Sequence, residues 1–121
     1  MPVREDSLLR MVRQLARALA KILGLRRSGR LEEAAEEVAA AMSSTAGVDP
    51  RLVESAEAAT LAAMLSDEGR RRAVARLCLE RAEIEMERGQ QAASQAWRRK
   101  AVALWPEVEA RSADWLSPGD S

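Results

Sequence analysis

Apolar residues recur at Leu8, Val12, Leu15, Leu19 and Ile22, a four-three-four-three spacing that places them on one stripe of a long α-helix. Asp6 or Ser7 ahead of the stripe is suited to cap its start, and Ser28-Gly29 is suited to end it. The helical period resumes at Leu31, Ala34, Ala35, Val38, Ala41 and Met42, after a turn too short for anything but an antiparallel return. The pattern therefore predicts an αα-hairpin.

Residues 43–48 read as a connector, and Asp49-Pro50 supplies an N-cap followed by proline at the first helical position. A third helix is expected from there through Leu52, Val53, Ala56, Ala59, Leu61, Ala63, Met64 and Leu65. Ser66 or Asp67 can cap a fourth, whose apolar side runs through Val74, Leu77, Cys78, Ala82 and Met86 to Gly89. A fifth follows with Ala93, Ala96, Trp97, Ala101, Leu104 and Trp105, and Pro106 should end or kink it. These last two form a second expected hairpin. Residues 107–116 are expected to add a short turn of helix, and 117–121 to fray. The expectation is one all-α domain over 1–116, a compact array of antiparallel helical hairpins with about five main helices and a C-terminal tail.

Composition strengthens this reading. Tyr and Phe are absent and only three Trp are present, so a core must be made of Leu, Ala, Val, Ile and Met, which mostly suit helices. The formal net charge is zero, which gives no global pull toward nucleic acid or anionic membranes. Locally the charge is polarised: residues 1–30 carry eight basic and two acidic side chains, and residues 31–69 one basic and nine acidic. A basic first helix beside acidic second and third helices would be favoured electrostatically.

The residue inventory argues against catalysis. There is no His and no Tyr, and the lone Cys78 falls on a predicted apolar face, where a cysteine acts as a small hydrophobe. Glu32, Glu33, Glu36 and Glu37 lack the histidines of a di-metal bundle and suit the positive end of a helix dipole. Neither an enzyme nor a cofactor is expected. No apolar run reaches the length of a membrane span, and a single cysteine fits a reducing compartment, so the expected location is cytoplasmic.

Several residues have competing uses. Arg10, Arg13, Arg17 and Lys21 line one side of the first helix, either to meet phosphate, lipid or an acidic protein, or as a solvated face paired with the acidic helices. Arg70-Arg71-Arg72 oppose the dipole at a helix start and suggest either an anionic contact or a solvated run. Trp97 and Trp105 are two turns apart on nearly one side of the fifth helix, as core or as binding anchors. Trp115-Leu116 can cap that helix or dock into a neighbour.

Aligning the turn glycines places Gly29-Arg30-Leu31-Glu32-Glu33-Ala34 over Gly89-Gln90-Gln91-Ala92-Ala93-Ser94, and Ala41-Met42 over Ala101-Val102. On these residues, together with Ala82 and Pro106, the chain resembles the tetratricopeptide-repeat superfamily of paired antiparallel helices. The turn glycines are 60 residues apart rather than the roughly 34 of a tandem array, with the third helix as an insertion. From Leu8 through Gly29–Ala34, Leu61–Leu65 and Arg81–Glu85 to Leu104, it also resembles a small bacterial family of uncharacterised all-helical proteins. The resemblance implies non-catalytic protein binding or scaffolding, and the arginine run and tryptophans make Arg70, Arg71, Trp97, Trp105 and Trp115 the expected contact residues. A homodimer is the favoured assembly and the protein partner stays unspecified. Nucleic-acid or membrane-surface binding through the basic first helix is the alternative.

Overall fold

The computed structural model describes residues 3–111, with side chains from Asp6 onward. Among these residues the fold is all-α, with six helices: α1 (Val3–Arg27), α2 (Leu31–Ser44), α3 (Pro50–Ser55), α4 (Ala58–Met64), α5 (Glu68–Glu87) and α6 (Gln91–Leu104). Trp115, Leu116 and the expected frayed tail lie outside the described residues.

The two glycine turns are closed in the same way. At Gly29 (φ 75°) the Arg30 amide donates to Leu25 O at 2.9 Å and the Gly29 amide to Arg26 O at 3.0 Å. At Gly89 (φ 81°) the Gln90 amide donates to Glu85 O at 2.8 Å and the Gly89 amide to Met86 O at 3.0 Å. Both satisfy carbonyls that a helix end leaves over, and both need the left-handed backbone that glycine adopts without strain. Across each turn, residues at similar distances from the glycine meet. Lys21 pairs with Glu37 at 3.2 Å, and buried Ser94 donates its hydroxyl to Ala82 O at 2.8 Å.

The core runs through all the elements, from Leu15, Leu19 and Ile22 of α1 to Leu104, Trp105 and Val108. At its centre is α5, which packs against α1, α2 and α6 and is buried on nearly all sides from Ala73 to Ala82. A helix enclosed in this way is ordinarily apolar all round, yet α5 also buries Arg76, Glu80 and Glu85. Their charges are matched internally. Glu80 receives Arg76 at 2.7 Å and Arg26 of α1 at 2.8 Å, and Glu85 receives Arg81 at 2.8 Å and Arg88 at 3.0 Å.

The structure corrects three expectations. The first helix starts at Val3, so Asp6 and Ser7 lie inside it; no glycine or proline interrupts that stretch. Met86 is exposed, and the apolar side of α5 ends at Ile84. The expected third helix is two. Asp49 caps α3 by accepting from the Arg51 amide at 2.9 Å, but Ala56 and Glu57 are extended, and α4 begins only at Ala58. A continuous helix would direct Val53 O to the amide of residue 57 and Glu54 O to that of residue 58. Both carbonyls instead accept from the Lys100 ammonium of α6, at 2.9 and 2.6 Å.

Candidate functional site

Four of the residues expected to meet a partner, Arg70, Arg71, Trp97 and Trp105, make contacts within the fold. Arg70 donates from Nε to Ala46 O and from Nη2 to Gly47 O, both at 3.0 Å, which fastens the α2–α3 connector to the start of α5. Arg71 reaches Leu104 O and Ala62 O, tying the ends of α6 and α4 together. Arg72 lies 5.2 Å over the ring of Trp105 and pairs with Glu68. The arginine run therefore staples three chain segments to one helix end, and Asp67 caps that end by accepting from the Arg70 amide at 2.9 Å.

Trp97 and Trp105 are buried, whereas Arg70 is exposed and Arg71 and Arg72 are half-buried. Trp97 is 7% exposed, with Arg81 and Lys100 at 5.1 and 4.6 Å from its ring centre, and Trp105 is 5% exposed. Such cation–π contacts strengthen when removed from water. The structure does not gather Arg70, Arg71, Trp97 and Trp105 into one open groove, and Trp115 is outside the described residues.

Cys78 is fully buried, and burial pushes its thiol up to about 12, against the opposing influence of the Lys100 charge. A thiol held protonated in an apolar site is a poor nucleophile. Among the described residues no three His, Cys, Asp or Glu side chains converge in a way that could hold a metal ion. No helix among them is long and apolar enough to cross a membrane.

The exposed chemistry is on α1. With 25 residues it is about 37 Å long, against about 21 Å for the 14 residues of α2. Gln14 and Ser44 line the same shallow cleft, so α1 extends past α2 on the N-terminal side of Gln14. Leu8, expected in the core, is 47% exposed for this reason. What supports the extension is the start of α5, where a methyl group added at Gly69 would lie 2.9 Å from Leu8 Cδ1 and 3.1 Å from Met11 Cε. A cleft of about 610 Å³ opens there, lined by Leu8, Met11, Asp67, Gly69 and Arg70.

A second apolar line runs along α1, rotated away from the core stripe. At 100° per residue, Leu9, Ala16, Ala20 and Leu23 fall within about 60° of one another, on the side away from Leu15 and Ile22. Leu9 is 54% exposed, Ala20 is exposed, and Ala16 and Leu23 are half-buried. Along one edge of this seam stand Arg10, Arg13 and Arg17, all exposed and without an ion pair among the described residues. This departs from the expectation that the basic first helix pairs with acidic neighbours. Among the described side chains of α1 only Lys21 pairs with α2, while Arg26 turns to Glu80 and Glu87 of α5, each at 2.8 Å.

The signal for the seam was present in the sequence. A stripe starting at Leu8 and a further set at 9, 16, 20 and 23 give α1 more apolar surface, over a greater length, than a 14-residue partner can cover. No protein-family model, curated protein or solved structure matches the chain.

Proposed function

We propose that this protein is a non-catalytic protein-binding module of tetratricopeptide-like type, and that it engages its partner along the free face of α1. The observation that carries this reading is the seam of Leu9, Ala16, Ala20 and Leu23, a line of apolar and small side chains exposed at Leu9 and Ala20 and half-buried at Ala16 and Leu23. Small residues let another backbone approach closely, and large apolar residues at the two ends supply the anchors, the arrangement by which a groove or helix face receives a partner helix. The identical closures at Gly29 and Gly89 support the repeat character. The arginines and tryptophans of the α5–α6 end serve to hold the fold, leaving α1 as the presenting element.

The test is a pull-down of tagged protein from the native lysate beside a Leu9→Gln, Leu23→Gln variant, read by mass spectrometry. Both substitutions are on half-buried or exposed positions and should leave the helical circular dichroism unchanged. One protein enriched by wild type and lost from the folded variant is the expected result. Recovery of nucleic acid or lipid alone, equally from both, would refute the reading and return the basic helix to a surface-binding role. Light scattering on the purified chain reports whether a second copy fills the seam.

A further inference from the structure

From the charge at the edge of this seam we infer the chemistry of the partner: an amphipathic helix that lays small and apolar residues on Leu9, Ala16 and Ala20 and carries carboxylates along the edge facing Arg10, Arg13 and Arg17. The inference rests on the reading of α1 as the binding element and adds to it the partner's charge pattern.

The argument begins with how this chain treats its other arginines. Arg26, Arg30, Arg81, Arg88 and Arg98 all meet carboxylates, Arg26, Arg88 and Arg98 more than one, and Arg70 and Arg71 meet backbone carbonyls. Arg10, Arg13 and Arg17 are three of the exceptions and share one row of one helix, three and four residues apart. That row spans about 10 Å, two helical turns, so carboxylates at matching three- or four-residue intervals on a facing helix meet each guanidinium in turn. Guanidinium and carboxylate pair through two parallel hydrogen bonds, which fixes orientation as well as affinity.

The same row discriminates among occupants. In a second copy paired antiparallel along the seam, the arginine edge would face its own counterpart, and like charges would oppose each other. Paired parallel, the arginines would face the Val12 and Leu19 side of the other copy, where no acidic residue stands between positions 8 and 22. A polyanion is also a poorer fit. Leu9 lies on the row's apolar flank in the same shallow cleft, and a phosphate chain would leave it and the rest of the seam uncovered. An acidic helix with an apolar seam satisfies both the arginines and Leu9.

The probe is a fluorescein-labelled synthetic helix of about 18 residues, with an Ala/Leu seam and glutamates along one edge, compared with its Glu→Gln counterpart, single-stranded DNA and phosphatidylserine-containing vesicles. Anisotropy, or co-sedimentation for vesicles, is measured on the full chain. The acidic helix should bind, the glutamine form about tenfold or more weaker, and Arg10→Gln, Arg13→Gln, Arg17→Gln should produce the same loss and flatten the salt dependence. The Leu9→Gln, Leu23→Gln variant should abolish binding of both helices. Equal binding of the acidic and glutamine helices overturns the charge assignment while leaving the helix-binding module intact. If neither helix binds and DNA or vesicles do, the module reading falls with it. Absence of binding to every probe overturns the acidic-helix inference, and the pull-down with the Leu9, Leu23 variant then decides the module reading separately.

Discussion

Arg26 supplies an internal comparison that separates distance from burial as the determinant of an ion pair's worth. Its two terminal nitrogens each meet a carboxylate at 2.8 Å, Nη1 to Glu80 and Nη2 to Glu87, but the Glu80 side chain is 7% exposed and that of Glu87 is 40%. Glu80 also holds Arg76 at 2.7 Å through its other oxygen, so each oxygen serves one guanidinium. Replacing Glu80 by Gln keeps the shape but removes the charge and turns one of those oxygens into an NH2 donor aimed at an arginine. Two positive groups would then share one neutral oxygen in a site where water cannot compensate, and breaking a buried pair in this way costs about 3–5 kcal/mol. Replacing Glu87 by Gln breaks a pair of the same length at the surface, where the loss is about 0–1 kcal/mol. Against a total stability of about 5–15 kcal/mol for a chain this size, the first change consumes much of the margin and the second little. Urea unfolding of the three proteins, followed by circular dichroism, should show the Glu80→Gln midpoint lower by about 2 M at a slope of about 1.5–2 kcal/mol per M, with Glu87→Gln close to wild type. Equal shifts for the two variants would refute the reasoning, because distance alone would then govern both.

Lys100→Met should lower stability by about 2 kcal/mol, since two charge-assisted hydrogen bonds to Val53 O and Glu54 O are lost and only partly offset by sparing a buried ammonium. Hydrogen exchange would register it as faster amides in α3 and α4, and unchanged protection there would contradict the role given to Lys100. The buried Cys78 thiol keeps its proton up to about 12, whereas in the unfolded chain it ionises near its ordinary value of 9.0. The folded state thus binds more protons, and stability should fall as pH rises through that window, by up to about 1.4 kcal/mol per pH unit. Lys100, whose pKa burial lowers below 10.5, tilts the other way just under that value. The difference between wild-type and Cys78→Ala stability curves isolates the thiol, and parallel curves above pH 9 would exclude it. Gly29→Ala and Gly89→Ala should each cost about 1–2 kcal/mol because their φ angles are positive, while Gly24→Ala, in open helix, should gain about 0.5–1 kcal/mol. Thermal melts ordering the three otherwise would count against the turn geometry.

The element ends that are set by nearby residues were legible in the chain. Gly29, Gly89, Asp49-Pro50 and Asp67 act within a few residues of themselves, through a backbone angle or one side-chain hydrogen bond, and the sequence shows both members of each interaction. The break between α3 and α4 was not legible because its cause lies 46 and 47 residues away, in the Lys100 ammonium. Nothing in residues 50–65 beyond the first proline discourages a continuous helix. Propensity described that segment correctly, and a tertiary donor overrode it.

Arginine was the residue type whose use the sequence could least resolve, since its long stem lets the same charge serve a carboxylate, a carbonyl, an aromatic face or solvent. Arg70-Arg71-Arg72 suggested an anionic contact or a solvated run because three adjacent positive charges oppose a helix dipole, yet Arg70 and Arg71 reach four backbone carbonyls, which have no sequence signature, and Arg72 lies over Trp105. Arg10, Arg13 and Arg17 looked like one side of an internal pairing with the acidic second helix. The geometry turned that pairing aside because α2 packs against the other flank of α1 and stops opposite Gln14, so only Lys21 is within reach of a glutamate there. The distinction between a structural arginine and a presenting one therefore depended on where a neighbouring helix ends. Segment lengths carry part of that information: once two antiparallel segments differ by eleven residues, the surplus of the longer must find another cover, and on α1 the core stripe finds Gly69 while the Leu9–Leu23 seam faces solvent.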